Sequence, residues 1–134
     1  MPGLPGDTKE IDLATIKKSI EMKPDIARIY PALVIKDTPM ETMYNRGEYE
    51  PYSLDMAVEV SREMLKLYNA AKVKVIRIGL QPTDTIAEGK DVVAGPFHPA
   101  FRELVEGSLI CENIKEKTNE SSDIIIAVSY THLR

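Results

Sequence analysis

Few residues in this chain carry recognisable chemistry, and they are scattered. Gly3-Leu4-Pro5-Gly6 could cradle a phosphate, but it lacks the Gly-Lys-Ser/Thr ending of a nucleotide loop and the spacing of a dinucleotide fingerprint. Read by its residues alone it is a strand-to-helix turn. His98, between prolines in GPFHPAF, could act as a base or contact a substrate; the plainer alternative is that it caps or fixes the turn before a helix. Asp84, Glu88 and Asp91 suggest a divalent ion, yet their spacing fits no calcium loop and they read as solvated loop charges. Cys111 is the sole cysteine, so it can form no internal disulfide and no thiolate-rich metal site, and its place within a helix reads as small core filling. His132 has no assignable role, and no Ser-His-Asp or Cys-His arrangement is present.

Elements must position these groups. Leu13, Ile16 and Ile20 recur at helical spacing and predict a helix over residues 9–22, with Asp7 and Glu10 placed to cap its first turn. IARIYPALVI (Ile26 to Ile35) reads as a buried strand that ends or bends near Pro31, since proline removes a ladder donor. A short helix over 39–47 closes at Gly47. Ser53 then caps a helix running to about Ala71, with Ala57, Val60, Met64 and Tyr68 on one face. Val73 to Leu80 forms a second strand, followed by a long loop over 81–100 of a length that is often functional. Phe101, Leu104, Val105 and Leu109 mark a helix weakened by Gly107, and Ile124 to Ser129 suggests a last strand. This alternation predicts an α/β layout with a parallel sheet.

Strand alternation carries the argument from fold towards function. With a regular two-residue period, Ile76, Ile78 and Leu80 face the covering helices, as do Ala27 and Ile29. Arg28, Tyr30, Arg77 and Gln81 then share the other face. A strand buried on both sides reads as nearly continuous Val, Ile and Leu, so arginines there predict a wet, ligand-holding surface. The alternative is that each arginine lies at a strand end and pairs with a carboxylate.

The remaining bounds are loose. A net charge of −4 with 28% charged residues describes an ordinary water-soluble protein and gives no overall nucleic-acid footprint. There is no signal-peptide pattern and no run approaching the roughly 20 apolar residues of a membrane span. The expected location is the cytoplasm.

Five stretches add what composition and spacing do not. MPGLPGDT, PDIARIYPALVIKDT, RGEYEPYS, VIRIGLQPTD and VAGPFHPAFRELVE occur in this order. They resemble, over roughly residues 1–115, the C-terminal half of radical S-adenosylmethionine proteins of the elongator catalytic-subunit type. That group carries histone acetyltransferase and tRNA-uridine-modifying members and is related to oxygen-independent coproporphyrinogen oxidase. The resemblance implies the C-terminal fragment of a partial (β/α)6 barrel with a helical extension. Residues 1–80 would belong to the barrel and 81–127 to the extension. The parent would use a 4Fe–4S cluster and S-adenosylmethionine to generate a 5′-deoxyadenosyl radical, with a tRNA wobble uridine as substrate. A porphyrinogen or other small molecule is the alternative substrate, and a non-catalytic module binding RNA or a partner through Arg28, Arg46, Arg77 and Arg102 is the alternative role.

Carried onto this chain, the resemblance makes Gly3, Pro5, Gly6, Arg28, Tyr30 and Pro31 cofactor-facing, and Arg77, Gln81 and His98 substrate-facing. The family's Cys-x3-Cys-x2-Cys motif is absent here, so no cofactor is expected on this fragment alone and it is expected to be inactive. The implied partners are tRNA and an N-terminal barrel half, without a membrane. On this reading Met1 is an internal methionine of a longer reading frame. SYTHLR resembles translated sequencing-adapter read-through, which makes 128–134 a foreign tail.

Overall fold

The computed structural model describes residues 1–119 apart from 85, 87 and 88. Its order is α1 (Lys9–Glu21), β1 (Ile26–Ile29), β2 (Val34–Ile35), α2 (Pro39–Asn45), α3 (Leu54–Ala70), β3 (Lys74–Ile78), β4 (Val92–Ala94) and α4 (Phe101–Thr118). The strand predicted over Ile124–Ser129, the stretch 128–134 expected to be foreign, and His132 lie outside the described residues.

The first helix forms where its apolar spacing places it, but its cap differs from expectation. The hydroxyl of Thr8, not Asp7 or Glu10, accepts the free amide of Ile11. Asp7 instead takes the Leu4 amide at 2.9 Å and so closes the preceding turn. In α3 the anticipated cap holds: Ser53 accepts from the Met56 amide, and Ala57, Val60, Met64 and Tyr68 are all buried.

The long apolar stretch 26–35 divides at Pro31. β1 pairs in parallel with β3, whereas β2 pairs antiparallel with β4 in a separate ladder. Predicting the whole of 81–100 as loop is therefore corrected, because Val92–Ala94 supplies a strand edge to Val34–Ile35. A three-residue strand inside a Pro- and Gly-rich stretch is too short to show a period.

A bulge decides which residues face the core. Ala27 pairs with Val75 and Arg28 with Arg77, so Ile76 is an extra residue without a register partner. The extra residue resets the alternation. Val75 and Ile78 are buried while Ile76 is exposed, which reverses the predicted faces of Val75 and Ile76. In β1 the expectation stands: Ile29 is buried and Arg28 exposed.

Helix α3 is the hub, touching α1, α4, β1 and β3. The core it completes contains Ile29, Val60, Met64, Tyr68, Val75, Phe101 and Val105. Helices α3 and α4 are also tied by a polar seam: Arg62 donates to the Ser108 hydroxyl at 3.0 Å, and Lys66 pairs with Glu112 at 3.2 Å. Covering helices thus lie on one face of the β1–β3 pair, and the opposite face carries Arg28 and Arg77.

Candidate functional site

The opening turn docks where β1 ends. The carbonyl of Pro2 accepts the Ala32 amide at 2.9 Å, which fixes the Gly-Leu-Pro-Gly segment against the exit of the strand. Gly3 has φ +84°, and a side chain there would meet the Tyr52 ring at 3.0 Å, so only glycine suits the position. Both backbone groups of Gly3 are used internally. Its amide donates to Asp12 Oδ2 at 3.3 Å and its carbonyl accepts the Tyr49 hydroxyl at 2.6 Å. Tyr52 donates to the same Asp12 oxygen at 2.7 Å. Pro5 and Gly6 remain exposed, and open space surrounds Gly6.

The electrostatics follow from this enclosure. Burial, with the Asp7 charge adding to it, raises the Asp12 carboxyl above its usual 3.8 despite the stabilising Tyr52 hydrogen bond. Burial, and then the hydrogen bond to Asp12, push the Tyr52 phenol up. Tyr49 moves the same way, by burial and then by the nearby Asp7 charge.

None of Asp12, Tyr49 or Tyr52 was singled out by sequence reasoning as a positioning group. A signal existed. Asp12 stands one helical turn before Ile16 on the apolar stripe, where a carboxylate demands a partner.

The two strand ends form the second part of the region. Gly79 donates to the Ile29 carbonyl at 2.8 Å and has φ +80°, with Phe101 packed 2.9 Å from where a Cβ would sit. Beside it a cleft of about 220 Å³ runs between the end of β3 and the start of α4, and Arg77, Gln81, Arg102 and Glu103 contribute to its wall. Arg28 is the register partner of Arg77 on the neighbouring strand. Both are exposed, and neither has an ion-pair partner among the described residues.

His98 is not among the residues that line that cleft, although Pro99 beside it is. Its Nδ1 accepts the Ala100 amide at 3.0 Å and its carbonyl accepts the Phe101 amide at 3.2 Å, so it shapes the turn into α4. It lines a very small cavity with Pro31, Leu33 and Gly79. Tyr30 is half-buried and Pro31 buried.

The structure therefore sets Arg28 beside Arg77 in the ladder, places Arg77 and Gln81 in one cleft wall, joins Pro31 to His98, and sets the Gly3–Gly6 turn beside Ala32. Arg46 stands elsewhere, near Asp37 and Glu41 around α2. Arg102 is held by Glu106 at 3.0 Å.

Cys111 is exposed on α4, not core filling, because the buried positions Phe101 and Val105 set the helix phase and residue 111 falls on the outer side. No group of three or more His, Cys, Asp or Glu side chains among the described residues could hold a metal ion; Glu88 lies outside them. No helix among the described residues is long and apolar enough to cross a membrane.

Comparison with known proteins gives the family. Residues 24–110 match the radical SAM C-terminal domain. A tRNA uridine(34) acetyltransferase of Methanocaldococcus jannaschii is 44% identical over 63 residues, or 45% of this chain and 12% of that protein. The Methanocaldococcus infernus enzyme of the same name is 41% identical over 63 residues, with the same coverage. One from Dehalococcoides mccartyi is 40% identical over 55 residues, or 39% of this chain and 12% of its own. The solved structure of the archaeal Methanocaldococcus infernus Elp3 with its N-terminus deleted superposes with a TM-score of 0.66 at 28% identity, covering 84% of this chain and 26% of that one. The chain thus spans about an eighth of the length of these curated relatives. With its α/β architecture and a match covering both strand ends and the turn into α4, the chain belongs to the radical SAM C-terminal domain family, with elongator-type homologues.

Proposed function

We propose that this chain acts as the C-terminal part of a longer, elongator-type radical SAM enzyme that modifies a uridine of tRNA. The observation that carries the reading is the one-sided sheet: helices cover one face of the β1–β3 pair, and the other presents Arg28 and Arg77. A parallel strand pair backed by helices on one face is the expected wall of a barrel, and such barrels meet their ligands at the C-terminal ends of the strands. Residues 1–80 are then barrel wall and residues 81–127 the family's extension. The relatives' names supply the tRNA substrate.

The chain's own residues do not fit a 4Fe–4S cluster. The chain has one thiol, the exposed Cys111 on α4, whereas a cluster requires several thiolates, and no alternative ligand group is found among the described residues. No step through the cluster is assigned to this chain. Its contribution is geometric. The turn at Gly3–Gly6 and the strand ends at Tyr30–Pro31 would form the cofactor-side rim, and Arg77 and Gln81 the substrate-side wall. His98 holds the turn that carries α4. The isolated chain is inactive on this reading.

The test has two arms. The coding sequence that precedes Met1 should encode Cys-x3-Cys-x2-Cys; an upstream segment without three closely spaced cysteines ends the reading. Anaerobic reconstitution of the 134-residue chain with iron and sulfide should give no 4Fe–4S absorption and no cleavage of S-adenosylmethionine, and a stable cluster spectrum would refute its inactivity.

A further inference from the structure

Arg28 and Arg77 stand directly opposite one another in the β1–β3 ladder, on the face without helices. Neighbouring strands run only about 4.8 Å apart, and like charges opposed at that spacing destabilise a sheet. A pair of this kind normally recruits a carboxylate from the same surface. None of the described residues supplies one. Glu103 lies in the wall of the adjoining cleft without forming an ion pair with either arginine, and Glu106 is occupied by Arg102. Gln81 lines that 220 Å³ cleft together with Arg77.

We infer that Arg28 and Arg77 together form an oxyanion-binding site, with Gln81 as an auxiliary donor, that takes a phosphate or carboxylate group. Two guanidinium groups offer planar forks of N–H donors that match either oxyanion, and an anion between them removes the repulsion the register imposes. This rests on the reading of the helix-free face as the ligand side. It adds that the pair is one site shared by cofactor and substrate surfaces, not two separate contacts.

The test uses the 134-residue chain and the Nε–Hε NMR signals of its arginines. At constant ionic strength, inorganic phosphate and, separately, acetate are titrated. The expected result is saturable movement of the Arg28 and Arg77 signals, while Arg46 does not move. Saturation by both anions identifies a general oxyanion site, and saturation by phosphate alone identifies a phosphate site; each supports the inference. Arg28→Gln and Arg77→Gln should each weaken binding at least tenfold at the remaining arginine. Arg77→Lys, which keeps the charge but not the fork, should fall between. Because both residues are exposed, the variants should keep the wild-type circular dichroism spectrum, and phosphate should raise the Tm of the wild type but not of Arg77→Gln. Failure of either anion to saturate, a parallel response at Arg46, or a single variant with undiminished affinity overturns the site. That outcome leaves the upstream-cysteine test untouched, so the two readings fail separately.

Discussion

Asp12 and Tyr52 meet through a 2.7 Å hydrogen bond, and the carboxylate oxygen that receives the phenol also receives the Gly3 amide at 3.3 Å. One buried oxygen thereby joins α1, the segment before α3 and the opening turn. Replacing Asp12 with Ala strands two donors, at a cost of about 1–3 kcal/mol. Asp12→Asn, which keeps an acceptor, should cost less. Denaturant midpoints of the two variants check the order, and equal losses would contradict it.

The same carboxyl makes a signed prediction about pH. Its folded pKa is raised above the usual 3.8, chiefly by burial, so the folded state holds this proton more tightly than the unfolded chain does. The associated stability is fully present below 3.8 and is lost as pH rises through the raised value. Glu59 moves in the opposite sense. Its hydrogen bond to Lys9, and then that lysine's charge, lower its pKa, so its contribution is lost as pH falls. Melting curves of wild type and Asp12→Asn between pH 3 and pH 7 separate the two. Their difference should grow in favour of Asn as pH rises.

Gly79 should tolerate no side chain. Alanine there pays for a φ of +80° and also meets Phe101 Cβ at 2.9 Å. Loss of about 2–4 kcal/mol is expected for Gly79→Ala, against about 1–2 kcal/mol for Gly47→Ala, whose surroundings are open. Urea unfolding of the pair checks the difference.

Met64, 2% exposed against β-strand and helix neighbours, should behave as a core residue. Met64→Ala is expected to cost about 2–5 kcal/mol, read as a lower denaturation midpoint.

Cys111 should react with a thiol reagent in the native state, one equivalent per chain, at a rate little changed by adding denaturant. Protection until unfolding would place it inside.

Much of the fold was legible because local chemistry declared it. Ser53 and the stripe of Ala57, Val60, Met64 and Tyr68 define α3 without any knowledge of its partners. Pro31 marks the division of the long apolar stretch for a similar reason, the loss of one N–H. The outward position of Arg28 follows from simple alternation. What failed was whatever depended on distant residues. No local feature of Lys74–Ile78 reveals that Ile76 will be skipped by β1, so simple alternation assigns Val75 and Ile76 to the wrong faces. The pairing of Val34–Ile35 with Val92–Ala94 needs three-dimensional proximity. Asp12 announces that it needs a donor, but not that the donor lies forty residues away at Tyr52. Cys111 is a different kind of error, since counting helical phase from Val105 would have placed it outside.

The ladders themselves carry a consequence for how the chain is made. Ile26 waits for Lys74 and Val34 waits for Ala94, so neither ladder can close until the later partner has left the ribosome. Until then Ile29 and Val34 lack the strand partners they have in the folded chain. A nascent chain that has not yet released residues 92–94 cannot close the second ladder, and its unpaired Val34 edge makes it a natural client for chaperones.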